Sequence, residues 1–303
     1  MGDLVLLALF KLVLAVPPYD SDLWWHLATG ERILAGMAVP RLDPFSFTAA
    51  GRPWIAHEWL AEVGLALAWR AAGLEAMMVL QAALLTMVLA VVYFHLRSDE
   101  ATLPLYLPTL VVTSILLLPA AHPRPYLASL LALAVLLYWL RICRDRGWLL
   151  LAVPLLFAVW ANTHAGFALG LAAMAATAAG EAWRTRRVPR RQMALGALAV
   201  VGSLVNPHGA RLLAYPLQYR AGSAHYDLIT EWASPDFHQP YPWLVLAFLA
   251  VTAILLVTRR APGWHSDGLL LALFGGLALL SVRNIPLLGV AGAPILARQV
   301  MVG

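Results

Sequence analysis

The chain has 303 residues, 61% hydrophobic and 12% charged, with a formal net charge of +5 and a mean hydropathy of +0.75. A soluble globular protein is nearer half apolar and a quarter charged, so this composition excludes an ordinary soluble enzyme. The positive balance comes from arginines at the ends of apolar runs, which argues against a nucleic-acid partner, and the single cysteine, Cys143, excludes an internal disulfide.

Apolar runs recur along the whole length, so the predicted fold class is all-α: a polytopic membrane helical bundle of about ten transmembrane helices. No repeat or low-complexity tract divides it, and 1–303 is read as a single transmembrane domain. The first helix, Leu4–Val16 within 1–19, carries Lys11 and stops at Pro17-Pro18, where the missing amide donor and the ring clash end a helix. Val16-Pro17-Pro18 is a poor cleavage site, so this segment is expected to remain as a membrane helix rather than a signal peptide.

A long external loop follows over 20–75 and is predicted to hold two interfacial helices. Leu23–Ala35, with Asp22 placed to cap it, is interrupted by His26, Glu31 and Arg32. His57–Ala72 carries Glu58, Glu62 and Arg70, and the stretch between the two is rich in turns. Within 76–206 the predicted spans are Met77–Leu96, Leu103–Pro119, Tyr126–Leu140, Leu149–Asn162, Phe167–Ala182 and Met193–Val205. A second external loop covers 207–241, and Trp243–Val257, Leu269–Val282 and Ile285–Val300 complete the chain within 242–303.

The positive-inside rule tests this order. With both termini cytoplasmic, Arg97, the clusters at Arg141–Arg146 and Arg184–Arg191, Arg259, Arg260 and Arg298 face the cytoplasm, twelve of the 21 basic residues in all. Letting His57–Ala72 cross would move both clusters outside. The same assignment sends seven of the nine histidines and ten of the sixteen acids to the external face. Ionisable groups are unfavourable near lipid, so that clustering predicts a polar, functional face.

Asp20-Ser21-Asp22 supplies two carboxylates whose mutual repulsion separates their pKa values, as a general base and its partner require. The alternative is that Asp22 only caps a helix. His26 falls one helical turn after Asp22, and His57-Glu58 forms a second histidine/acid pair. Asp22, His26, His57 and Glu58 can bind a divalent cation such as Mg or Mn, or can simply hydrogen-bond the loop together.

His122-Pro-Arg-Pro-Tyr, Asn162-Thr-His-Ala-Gly, Asn206-Pro-His-Gly-Ala-Arg and Arg283-Asn-Ile-Pro all sit at predicted external helix ends. Arginine forks bind phosphate oxygens in pairs, so Arg124, Arg211 and Arg283, with His122, His164 and His208, are candidates for a phosphate clamp. Snorkelling toward the interface is the plainer role for such arginines. In the second loop, Glu231 lies among aromatics, an arrangement suited to holding a sugar.

A first membrane helix, an acidic Asp20-Ser21-Asp22 motif, a long external loop and a bundle with short cytoplasmic turns together resemble the GT-C superfamily of integral-membrane glycosyltransferases. The run Asp-x-Asp-x-Trp-Trp-His-Leu at 20–27, with Asp43-Pro44-Phe45-Ser46 and His57-Glu58-Trp59-Leu60, is similar to a bacterial subgroup of them. The resemblance implies transfer of a sugar from a polyprenyl phosphate or pyrophosphate to an acceptor on the extracytoplasmic side. By position, Asp20 or Asp22 would be the base, and His26, His57, Glu58 and Glu231 would organise the acceptor side. The Trp-Trp-Asp motif of oligosaccharyltransferases is missing, because His26 follows Trp24-Trp25, so transfer to Asn is disfavoured.

The expected function is therefore an inverting membrane glycosyltransferase in the cell membrane, with a lipid-linked sugar, membrane lipid and an acceptor (glycan, lipid or protein) as partners. A transporter or flippase of a lipid-linked or anionic solute, and a metal-dependent membrane hydrolase, are the alternatives.

Overall fold

The structure is a computed structural model that describes residues 20–98, 101–143, 145–215 and 229–302. The predicted first span, Leu4–Val16, lies outside the described residues, as do Arg144 and the part of the second loop over 216–228.

Among the described residues the protein is an all-helical bundle, with a lone β-bridge between Leu42 and Pro53. In chain order the helices are α1 (Leu23–Leu34), α2 (Trp59–Ser98), α3 (Leu103–Leu116), α4 (Tyr126–Ile142), α5 (Leu149–Thr163), α6 (Phe167–Thr185) and α7 (Arg190–Ser203). After the second loop come α8 (Pro240–Arg259), α9 (Trp264–Leu280) and α10 (Ile285–Met301). Short 3-10 turns cover Leu118–Ala120, Thr230–Trp232 and Val282–Asn284.

Helix α2 is two helices in series. Ala72 and Gly73 leave helical geometry, and Gly73 takes φ +55°, a conformation that glycine adopts without steric penalty. The break falls where the predicted amphipathic stretch gives way to an apolar one. Helices α2 and α8 are long and apolar enough to cross a membrane, and α3, α4, α5 and α9 are shorter apolar helices.

Hydropathy along the chain does not mark which helix is central. It is α10, whose residues from Ile285 to Ile295 are all buried, and which packs against α3, α4, α8 and α9. A helix apolar on every side is buried in protein or in lipid, and α10 is enclosed by protein. Small residues let its neighbours close in: a Cβ on Gly292 would lie 2.7 Å from the Phe248 ring, and one on Gly289 would lie 3.1 Å from Leu116 Cβ. The periphery is the reverse. Leu151 and Leu155 of α5 and Ile254 and Val257 of α8 point outward, each more than half exposed.

Helix α1 lies against the first part of α2. Gly30 makes that approach possible, since a Cβ there would press on the Glu62 carbonyl and come within 2.8 Å of Ala66 Cβ. At the same end of the bundle, Trp59 Nε1 donates to Asn162 Oδ1 at 2.6 Å. Asn162 Nδ2 in turn donates to the Val205 carbonyl at 2.6 Å, tying α2, α5 and the turn after α7 together.

Candidate functional site

The start of α1, the turn before α4 and the two 3-10 turns at 230–232 and 282–284 meet at this end. The proline pair around Arg124 ends one helix and starts the next, which leaves the guanidinium at the bundle's rim. Arg124 grips Asp20 with two bonds, Nε to Oδ2 and Nη2 to Oδ1, the latter at 2.7 Å. Its Nη2 is 3.3 Å from Asp22 Oδ2, and its Nη1 donates to Glu231 Oε2 at 2.9 Å. The other Glu231 oxygen accepts from Arg283 Nη1 at 2.8 Å. Glu231 thus bridges two arginines.

Backbone contacts fix this rim. Asp20 Oδ1 accepts the Asp22 amide at 2.9 Å, a local turn. Ser281 Oγ donates to the Glu231 carbonyl at 2.9 Å, and the Val282 amide donates to the Ala233 carbonyl at 3.0 Å. Tyr126 donates its hydroxyl to the Arg283 carbonyl at 2.8 Å, and the Arg283 guanidinium lies over the Tyr126 ring. Between Arg124, Glu231 and Arg283 a hollow of about 10 Å³ remains, room for about one water.

The two aspartates are not equivalent. The Asp20 side chain is 0% exposed, whereas that of Asp22 is 45% exposed. Burial alone pushes the Asp20 carboxyl up, but the bonds from Arg124 and from the Asp22 amide outweigh it and hold the pKa below its ordinary value. Asp22 does not act as a helix cap, contrary to expectation: its side chain makes no cap hydrogen bond and turns instead toward Arg124. A guanidinium at 3.3 Å offers a stronger, charge-assisted partner than a helix amide.

Beneath the rim lies a more buried layer. His164 Nδ1 accepts the Gly166 amide at 2.9 Å and sits 2.7 Å from Ser129 Oγ, which itself accepts Trp160 Nε1–H at 2.7 Å. By donor accounting, Ser129 then donates to Nδ1 and the His164 proton resides on Nε2. That Nε2 faces Glu58 Oε1 at 3.5 Å, with Arg283 Nη2 also at 3.5 Å.

Glu58 lies 3.6 Å from His57 Nε2 and 3.8 Å from His26 Nδ1, and His26 Nδ1 is 3.1 Å from Glu62 Oε1. Burial pushes the Glu58 carboxyl up. Burial pushes the His26 imidazole down to about 3 and that of His164 well below its usual range, so both are neutral near pH 7.

Of the predicted phosphate-binding set, Arg124, Arg283 and His164 join this network, and His122 lines the small hollow. His122 Nδ1 is buried without a hydrogen-bond partner. Arg211 and His208 lie on the His57 side of the site. Arg211 is exposed, and burial lowers the pKa of His208, whose ring bonds to the Ala56 backbone with Arg41 and Arg211 nearby.

Of the predicted cation set, His26 and Glu58 come together with Glu62, the three offering ligand atoms within 4.8 Å of one another. Asp22 and His57 lie outside that trio. Asp22 is held toward Arg124, and His57 Nδ1 bonds to the Ile55 carbonyl at 3.0 Å. Sequence reasoning gave no role to Ser129, Trp160, Gly166 or Tyr126, which position the charged groups. Gly166 and Tyr126 carried a signal, standing in helix-end motifs beside His164 and Arg124.

No protein-family model, curated protein or solved structure matches this chain. Function has to be argued from the site itself.

Proposed function

We propose that the protein is a multi-pass membrane glycosyltransferase of GT-C type that uses a polyprenyl phosphate- or pyrophosphate-linked sugar, with Asp22 as its base. The observation that carries this reading is an accessible carboxylate, Asp22, held 3.3 Å from a guanidinium that is chained through Glu231 to a second one, Arg283. In the reaction, the acceptor hydroxyl passes its proton to Asp22 while its oxygen attacks the anomeric carbon. The bond from that carbon to the phosphate oxygen breaks, the electron pair leaves with the phosphate, and configuration inverts. Arg124 and Arg283 neutralise the departing phosphate, with Glu231 giving way to it. Asp20, buried and doubly bonded, positions Arg124 and takes no proton.

The outward-facing aliphatic side chains of α5 and α8 favour lipid surroundings for the bundle. About ten spans, cytoplasmic termini and an extracytoplasmic site in the cell membrane complete the proposal. The experiment is incubation of the purified protein with polyprenyl-phosphate sugars and a panel of glycan, lipid and protein acceptors. Transfer or slow release of the sugar is expected, and inertness toward every donor would reject the reading.

The His26–Glu58–Glu62 trio favours a second reading, a metal-dependent membrane hydrolase. A neutral imidazole with two carboxylates suits Zn or Mn. Metal analysis of the purified protein, together with loss of activity in a chelator, would select it over the transferase.

A further inference from the structure

The far end of the bundle holds a second polar site built from different residues. The C-terminal ends of α2, α4, α6 and α10 and the N-terminal ends of α7 and α9 enclose a cavity of about 460 Å³. That volume is within the range of small-molecule pockets. Helix α4 runs from the rim to this cavity, which places the two sites about 20–25 Å apart.

Four arginines line the cavity, Arg141, Arg184, Arg191 and Arg298, against two acids, Glu181 and Asp267. Arg298 pairs with Asp267 at 2.6 Å and Arg184 with Glu181 at 2.6 Å, while Arg191 donates to the Arg146 carbonyl at 2.6 Å and Arg141 to the Pro262 carbonyl at 3.4 Å. By count, the lining residues carry more cations than acids. The first turns of α7 and α9 add Gln192 and Ser266 and the positive ends of two helix dipoles. A further observation points to a ligand. His95, 5% exposed, lines the cavity, and its Nε2 has no hydrogen-bond partner among the described residues. A buried polar atom without a partner is unfavourable unless something bonds to it. One turn along the same helices from the charged residues the lining is apolar, a leucine-rich wall formed by Leu137, Leu195, Leu270 and Ile295.

We propose that this cavity binds a phosphate-bearing ligand. Its oxyanion sits among the arginine side chains and the two helix starts, within reach of His95, and any apolar portion lies on the leucine wall. A lipid headgroup and a free phosphate or pyrophosphate share this chemistry. The site shares no residue with the Asp22 rim, and testing it needs no sugar transfer, so either proposal can fail without the other.

Two probes distinguish the sources: inorganic pyrophosphate added to the detergent-purified protein, and nanodiscs of phosphatidylcholine with and without phosphatidic acid. Binding is read by calorimetry or thermal shift in wild type, in the double variant Arg184→Gln/Arg191→Gln, and in Arg259→Gln, a control at the same end but outside the cavity. Saturable binding is expected to weaken at least about tenfold in the double variant, the loss of charge-assisted hydrogen bonds. The control is expected to bind as wild type does. That pattern with pyrophosphate assigns a free phosphate, and the same pattern with phosphatidic acid alone assigns a lipid headgroup. If the double variant does not fold, Arg184→Gln alone serves, because its side chain is 44% exposed. Absence of saturable binding to both probes, equal binding by wild type and variant, or equal weakening by Arg259→Gln would overturn the proposal.

Discussion

In the rim, Asp20, Asp22 and Glu231 each face a guanidinium. In the layer beneath, His26, Glu58, Glu62 and His164 face chiefly one another, and Arg283 reaches them only at its edge. Asp20 is held charged because Arg124 and the Asp22 amide outweigh its burial. In the deeper layer burial outweighs the contact with the edge of Arg283, so the neutral forms of Glu58, His26 and His164 are favoured. The same residue types therefore do different work a few ångströms apart. Ion pairs gather at the rim, and a buried hydrogen-bonded layer with neutral histidines lies beneath it.

The contrast breaks most severely if the rim loses its central cation. Arg124→Gln leaves Asp20 buried without its guanidinium, and removing one partner of such a pair is destabilising by about 3–5 kcal/mol. Denaturant or thermal melts in detergent would record that loss, and sugar transfer should vanish with it. An unchanged melt would mean that the rim is not held by this ion pair.

A smaller effect, on the seating of the deeper layer, is expected from Gly30→Ala. The added methyl has no space against the Glu62 carbonyl and Ala66, and overpacking of this kind costs about 1–3 kcal/mol. Because the displaced helix carries His26, the melting temperature should fall together with activity.

Acid should sharpen the contrast by acting on the buried layer. The folded pKa values of His26 and His164 lie below their ordinary value of 6.5, so below that pH the unfolded chain binds more protons. The stability they contribute is complete above about pH 6.5 and is lost as pH falls, by up to about 1.4 kcal/mol per unit for each histidine. Glu58, with its pKa raised, works in the opposite sense, since its contribution is lost as pH rises through the folded value. Glu62, pushed up to about 9 by burial, acts in the same sense as Glu58, so two carboxyls oppose the two histidines and the test is the difference between variants. Between about pH 6.5 and 4.5, His26→Gln should lose less stability on acidification than wild type does, by up to about 1.4 kcal/mol per unit, and identical slopes would contradict the neutral-layer description.

The smallest effect is expected at Arg211→Gln. That side chain is exposed, and exposed substitutions away from special features stay within about 0.5 kcal/mol. Transfer activity should remain near wild type, and a large loss would place Arg211 back in the clamp.

The helical stretches were legible because prolines and glycines punctuate the apolar runs. The predicted Leu149–Asn162 appears as Leu149–Thr163, and Ile285–Val300 as Ile285–Met301. The enclosure of α10 was not legible, because a helix facing lipid and one facing protein are equally apolar. Helix-end position placed Arg124, Arg211 and Arg283 on one face but did not show that Glu231 bridges Arg124 and Arg283. Glu62 was visible only as a residue interrupting an apolar face, and its meeting with His26 depends on the close approach at Gly30. Ser129 inside an apolar run has no pattern that marks it as the partner of His164.

The central claim is that the chemistry belongs to the exposed aspartate while the buried one only orients Arg124. Sugar transfer from a polyprenyl-phosphate donor by Asp22→Asn, at unchanged melting temperature, tests it most directly. The rate should fall by about 10²–10⁴, the contribution of a positioned general base. Transfer at the wild-type rate by a folded Asp22→Asn protein would contradict it.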